Sequence, residues 1–115
     1  MDPPRVFLIY INRLVCEAMD ALLRREGIVL LGMEADSSTA LAQVRTLDPD
    51  VVLVEGDGAP AQGRLMAELA RLAYEKANLR IIRLSLTDEE LHIYHQEQRR
   101  LVNTQDLVAA IRTTA

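Results

Sequence analysis

Runs of aliphatic residues alternate with amphipathic segments along most of the chain. The runs at 5–11, 28–35, 51–54 and 80–86 are largely apolar, which is typical of strands buried on both faces of a parallel sheet. The segments between them place apolar residues three and four positions apart, as helices that cover such a sheet do. The pattern predicts a βαβαβαβ order with right-handed crossovers and helices on both faces of the sheet.

Residues that cap helices bound the predicted helices. Asn12 precedes the first helix and Gly27 follows it, and the polar run 36–39 offers capping oxygens to the second. The predicted helices cover residues 14–26, 39–47, 64–77 and 104–113.

The alternation of strands and helices changes after residue 86. Too few residues remain before the last helix for a crossover helix and another strand. Residues 91–95 alternate between apolar and polar positions, which predicts a β-hairpin with strands at 91–95 and 99–102. A polar helix over 88–100 is the alternative, because its glutamates and glutamines tolerate a helix.

Composition and charge narrow the class of protein. A chain of 115 residues, half of them apolar, is long enough for one domain, 1–115, with an aliphatic core. The net charge of −4 argues against a nucleic-acid surface. The single cysteine, Cys16, excludes an internal disulfide. No signal peptide or membrane span is evident, so we expect a cytoplasmic protein without a membrane partner.

Residues 48–58 give the clearest indication of a functional site. The buried strand 51–54 ends at Glu55, which is followed by Gly56 and Gly58. Open α/β sheets place their chemistry outside the carboxyl ends of the strands. Glu55 is therefore the first candidate for a functional carboxylate.

Four segments of the chain together resemble the receiver domain of two-component response regulators. They are Arg-Val-Phe-Leu-Ile at 5–9, Leu-Val-Cys-Glu-Ala-Met at 14–19, Leu-Asp-Pro-Asp-Val-Val-Leu-Val at 47–54 and Asp-Leu-Val-Ala-Ala-Ile at 106–111. The resemblance implies a flavodoxin-like, doubly wound parallel sheet of five strands, in which the β-hairpin predicted above would replace the fourth helix. It also implies a role in bacterial signalling, in which a histidine kinase phosphorylates an aspartate with the help of magnesium.

The residues that carry phosphorylation in that family are largely replaced in this chain. The phosphoacceptor position falls on Glu55, and the acidic pair that holds magnesium falls on Tyr10 and Ile11. The hydroxyl position is retained as Ser85, but the family's lysine is missing, because the only lysine is Lys76 in the third helix. Phosphoryl transfer needs cations to neutralise the transferred group. We therefore expect no phosphoryl transfer, no enzymatic activity, no metal and no cofactor.

The expected function is that of a phosphorylation-independent pseudo-receiver, which binds a protein partner and forms a homodimer. The candidate interface is Leu91, Ile93 and Tyr94, because a hairpin would expose strand edges there. Two roles stay open for Glu55. It is either a permanent mimic of a phosphorylated aspartate, hydrogen bonded to Ser85, or a solvated acid at the end of a strand.

A flavodoxin-like protein that binds a small molecule or a nucleotide is the alternative function. Such a protein usually has a phosphate-binding loop rich in glycine, serine or threonine after its first strand. Residues 11–14 contain none of these, which favours the pseudo-receiver.

Overall fold

Parallel strands joined by helices form the framework of the protein, as predicted. The computed structural model describes residues 3–56, 62–76, 78–85, 90–93, 98–100 and 104–112. The strands are β1 (Arg5–Ile9), β2 (Val29–Glu34), β3 (Val51–Gly56), β4 (Arg80–Ser85), β5 (Glu90–Ile93) and β6 (Gln98–Arg100). The helices are α1 (Arg13–Arg25), α2 (Ser37–Leu47), α3 (Gly63–Glu75) and α4 (Thr104–Arg112).

The strands form one sheet in the order β2-β1-β3-β4-β5-β6. The first four of these are parallel, which confirms the α/β prediction. β5 runs antiparallel to β4, and β6 runs antiparallel to β5. Within the described residues the parallel part therefore has four strands, not the predicted five. The reason is length, since the stretch between Ser85 and Glu90 is too short for a crossover helix. Residues 86–89 and 94–97, which connect these strands, lie outside the described part.

The predicted caps of the first two helices are confirmed. The Asn12 side chain accepts a hydrogen bond from the Leu14 amide at 2.8 Å, and the Asp36 side chain accepts one from the Thr39 amide at 2.9 Å. Each bond satisfies a donor that has no partner within its helix. Gly27 follows α1 with a φ of 72°, a conformation that favours glycine and ends the helix.

A hydrophobic core covers each face of the sheet. Along β3, Val51 and Leu53 belong to one core, whereas Val52 and Val54 belong to the other. This alternation follows from the two-residue period of a strand. The first core includes side chains of α1 and α4, and the second includes side chains of α2 and α3.

The start of β3 is fixed by polar contacts at the amino ends of the strands. The Asp50 side chain accepts a hydrogen bond from the Arg5 amide at 2.9 Å. The Arg5 guanidinium donates to the carbonyl oxygens of Leu47 and Asp48. These contacts hold the start of β3 beside the start of β1.

Two strand ends differ from the prediction at the carboxyl edge. β1 ends at Ile9 rather than at residue 11, and the Tyr10 amide donates to the Glu34 carbonyl at 3.1 Å. β3 continues through Glu55 to Gly56. Tyr10 and Ile11 therefore lie in the β1–α1 loop, next to the end of β3.

Candidate functional site at the carboxyl end of β3

Glu55 lies at the carboxyl end of β3 and is almost fully buried. Its exposed fraction is 9%. The alternation along β3 places its side chain on the same face as Val51 and Leu53, which is the face that α1 covers. A carboxylate in such a position is expected to have hydrogen-bond partners, because burying an unpartnered charge is costly.

The partners of the Glu55 carboxylate are backbone amides of the β1–α1 loop. One oxygen, Oε1, accepts hydrogen bonds from the Ile11 amide at 2.9 Å and from the Asn12 amide at 3.0 Å. Asn12 is the N-cap of α1, so these donors lie where the helix dipole favours an anion. Glu55 therefore acts as an internal anion at the start of α1.

Of the sequence-predicted positions, Ile11 meets Glu55 through its main-chain amide, whereas the Tyr10 amide donates to the Glu34 carbonyl. Tyr10 is partly buried and packs against the core, while the Ile11 side chain is 47% exposed. The Ile11 side chain has no oxygen that could ligate a hard cation, and the Ile11 amide hydrogen already binds Glu55. The two positions that correspond to the acidic pair of receiver domains thus carry an aromatic and an aliphatic side chain.

The other candidate residues are only partly described. Ser85 ends β4, and its backbone pairs with Gly56 in the register of the sheet. Leu91 and Ile93 lie on β5, whose backbone pairs with β4 on one side and β6 on the other. β5 therefore lies between two other strands of the sheet. Tyr94 and the side chains of the other three lie outside the described part of the chain.

A group of polar residues lies on the face of the sheet opposite to the Glu55 side chain, and it was not predicted from the sequence. The Gln62 amide nitrogen donates to the Glu55 carbonyl at 2.9 Å. The Arg83 side chain crosses Gly56 so closely that a Cβ at Gly56 would overlap its Nε atom. The Nε of Arg83 is buried and has no hydrogen-bond partner among the described residues. The one signal in the sequence was a basic residue inside the otherwise apolar run Ile81–Leu84.

Neither Arg83 nor Lys76 takes the place of the missing lysine beside Glu55. Arg83 pairs in register with Val54, so its side chain lies on the face opposite to the Glu55 carboxylate. Lys76 follows α3 and forms an ion pair of 2.8 Å with Asp48, which precedes β3 at the other edge of the sheet. Among the described residues, no group of three or more His, Cys, Asp or Glu side chains could hold a metal ion.

Cys16 lies in the core beside the site and is not an activated thiol. Its Sγ atom is 2.9 Å from the sulfur of Met33, and its exposed fraction is 5%. Burial raises the pKa of Cys16, and the carboxylates of Asp20 and Glu17 raise it further. Both effects keep the side chain protonated, which is the opposite of what a nucleophilic cysteine requires.

Comparison with known proteins adds no family to these observations. No family model matches the chain, and no curated protein matches it. Within the described residues, no helix is long and apolar enough to cross a membrane.

Proposed function

We propose that this protein is a pseudo-receiver, a flavodoxin-like domain of bacterial signalling that works without phosphorylation. It binds other proteins in the cytoplasm and catalyses no reaction. Two features support the proposal. The chain resembles receiver domains in four segments, and the parallel order β2-β1-β3-β4 with helices between the strands is compatible with a flavodoxin-like fold.

The observation that carries the proposal is the pair of hydrogen bonds between the Glu55 carboxylate and the amides of Ile11 and Asn12. In a phosphorylated receiver the corresponding acid faces a magnesium ion that an acidic pair holds. Here the carboxylate is directed at the β1–α1 loop and is stabilised there by backbone donors. Phosphoryl transfer requires cations around the transferred group, and Tyr10 and Ile11 do not supply a metal site.

Glu55 fixes the β1–α1 loop in one arrangement. A switch needs two arrangements whose relative populations a signal changes. A carboxylate that is part of the chain is bound permanently, so the loop does not depend on a kinase. These hydrogen bonds support the role of a permanent mimic of the phosphorylated state over that of a solvated acid, with the loop amides as partners in place of the expected Ser85.

The altered region after β4 is the proposed site of self-association in this function. A hairpin in place of the fourth helix, with Leu91, Ile93 and Tyr94 as a contact face, stays a prediction. So does a homodimer through that face.

Binding of a nucleotide or another phosphate compound is the less favoured function. The donors that a phosphate would use at the start of α1 are the amides of Ile11 and Asn12. The protein's own carboxylate already binds both. A phosphate there would have to displace Glu55 from a buried position.

An amide NMR titration tests the proposal. Magnesium and then beryllofluoride, a phosphoryl mimic, are added to the full chain. We expect the amide signals of Ile11, Asn12 and Gly56 to stay unchanged, because the described residues around Glu55 form no metal site. Shifts that saturate at these amides would contradict the proposal.

A triple variant serves as the positive control. Tyr10→Asp, Ile11→Asp and Glu55→Asp together restore the three carboxylates that hold magnesium in receivers. We expect the amide signals of residues 10–12 and 54–56 of this variant to shift when magnesium is added. If it folds and does not bind magnesium, the assignment of these positions to a receiver site is wrong.

A further inference from the structure

Two edges of the sheet are open among the described residues. β2 pairs only with β1, and β6 pairs only with β5. An open edge presents a row of backbone N–H and C=O groups without strand partners, which another strand can join. Each of the two edges is therefore a surface to which a further strand could be added.

The two edges differ in length and in charge. β6 has three residues, and two of them, Arg99 and Arg100, are cationic. A short strand with like charges resists pairing with a copy of itself. β2 has six residues and carries no charge before Glu34. Of the two, β2 is the edge that can accept a strand.

Two apolar side chains of β2 are exposed to solvent in the single chain, and an added strand would cover them. Val29 is 41% exposed and Met33 is 40% exposed. The pairing of β1 with β2 skips Leu31, which makes a β-bulge in β2. A bulge increases the local twist and is a common protection of an edge. The residues on either side of Leu31 keep regular pairing with β1.

A groove of about 460 Å³ lies beside β2, on the side of α2. It has no charged residue in its lining, which includes Leu31, Met33, Ala42, Gln43 and Leu47. Side chains of an added strand alternate between the two faces of the sheet. The groove therefore suits a strand with apolar side chains on that face, and β2 of a second copy is such a strand.

The charges at the two ends of β2 determine the direction of pairing. Arg25 is exposed at the end of α1, shortly before β2 begins, and the charge of the adjacent Glu26 is paired with Arg112, whereas Glu34 ends the strand and Asp36 follows it. Antiparallel pairing of two β2 strands brings the cationic end of one copy beside the acidic end of the other. Parallel pairing would bring like charges together. The same surface on both copies is then self-complementary, as a two-fold axis requires.

We propose that β2 is a dimerisation edge, at which two copies of the chain pair antiparallel and extend their sheets into one. The inference uses the geometry of β2 alone and does not rest on the proposed function. It names an interface distinct from the hairpin face.

Sedimentation equilibrium of the full chain tests the proposal. Between about 5 µM and 1 mM we expect a concentration-dependent dimer. Met33→Lys places a positive charge near the acidic end of β2, which in the antiparallel dimer lies beside Arg25 of the other copy, so that like charges meet. We expect it to raise the dimer dissociation constant by at least about ten-fold. The matched control is Tyr74→Lys, because Tyr74 is an 85% exposed apolar residue on α3, and it should leave the constant within about two-fold.

Hydrogen exchange of the unaltered protein gives a readout that needs no variant. Amides of β2 should become more protected as the protein concentration rises, while amides of β6 should not. Three results would overturn the proposal: a monomer at all concentrations, unchanged exchange in β2, or a dimer lost in Leu91→Lys but kept in Met33→Lys. The last result would assign self-association to the hairpin face. If Met33→Lys does not fold, the exchange measurement decides.

Discussion

Among the single residues, Glu55 has the clearest physical role. It is one methylene longer than aspartate, and its buried carboxylate binds two amides of the β1–α1 loop. Those amides are donors at the start of a helix, which have no partner within the helix itself. Glu55 thus joins the end of β3 to the beginning of α1, in addition to any role in recognition.

Removing the Glu55 carboxylate should destabilise the protein. Glu55→Ala leaves the amides of Ile11 and Asn12 without acceptors, and we expect the free energy of unfolding to fall by about 1–3 kcal/mol. Glu55→Gln keeps one acceptor oxygen without the charge, and the loss should be about 1 kcal/mol. Urea denaturation measures both.

The matched control for Glu55 is Glu17→Gln. Glu17 lies on the surface of α1 and forms an ion pair with Arg13, and its side chain is 66% exposed. Its replacement should change the free energy of unfolding by less than about 0.5 kcal/mol. Equal effects of Glu55→Ala and Glu17→Gln would show that the buried hydrogen bonds contribute little.

Among the elements, α2 depends on a cap that titrates. The Asp36 carboxylate accepts hydrogen bonds from the Thr39 amide and from the hydroxyls of Thr39 and Ser38. These bonds, with the Thr39 amide as the largest contribution, lower the pKa of Asp36 below its ordinary value of 3.8. The cap stabilises the charged carboxylate in the folded protein more than in the unfolded chain.

The stability that the Asp36 cap supplies should depend on pH in a defined direction. Because the folded pKa is the lower one, the contribution is present above pH 3.8 and is lost as the pH falls through the folded pKa. When the pH is lowered from about 5 to about 2, the melting temperature of Asp36→Asn should therefore fall less steeply than that of the unaltered protein. Asp36→Ala should melt lower over the whole range, because it removes the cap itself. Equal slopes for all three would contradict this account.

For the whole molecule, one sheet supports two cores. Neighbouring residues of β3 belong to opposite cores, so neither core can form without the same strand. This arrangement couples α1 and α4 to α2 and α3, although the helices lie on different faces. The described part of the chain is therefore expected to unfold as a unit.

Cavity-forming variants in the two cores should confirm that coupling. Ile111 and Leu69 are each 0% exposed, and they lie in different cores. Ile111→Ala and Leu69→Ala should each lower the free energy of unfolding by about 2–5 kcal/mol. Urea denaturation followed by circular dichroism and by tyrosine fluorescence should give one midpoint per variant. Leu14→Ala, at a 73% exposed position, is the control and should change the stability by less than about 0.5 kcal/mol. Separate midpoints for the two probes would show that the cores unfold independently.

The sequence by itself determined the parallel strands, the helices between them and their caps. These features follow from local rules: the length of the apolar runs, the three- and four-residue spacing, and the oxygens of Asn12 and Asp36. The sequence also identified Glu55 as the acid at the end of a central strand, because continuous hydrophobicity followed by an acid and a glycine is visible in one short segment.

Only the tertiary structure decided which groups meet at that position. The hydrogen bonds of Glu55 join residues more than forty positions apart, and their donors are backbone amides, which every residue but proline carries and which leave no pattern in a sequence. The crossing of Gly56 by Arg83 depends on the register of β3 with β4. That β2 is an open edge depends on the strand order. Register and strand order arise from pairing between distant segments, and for that reason no local pattern encodes them.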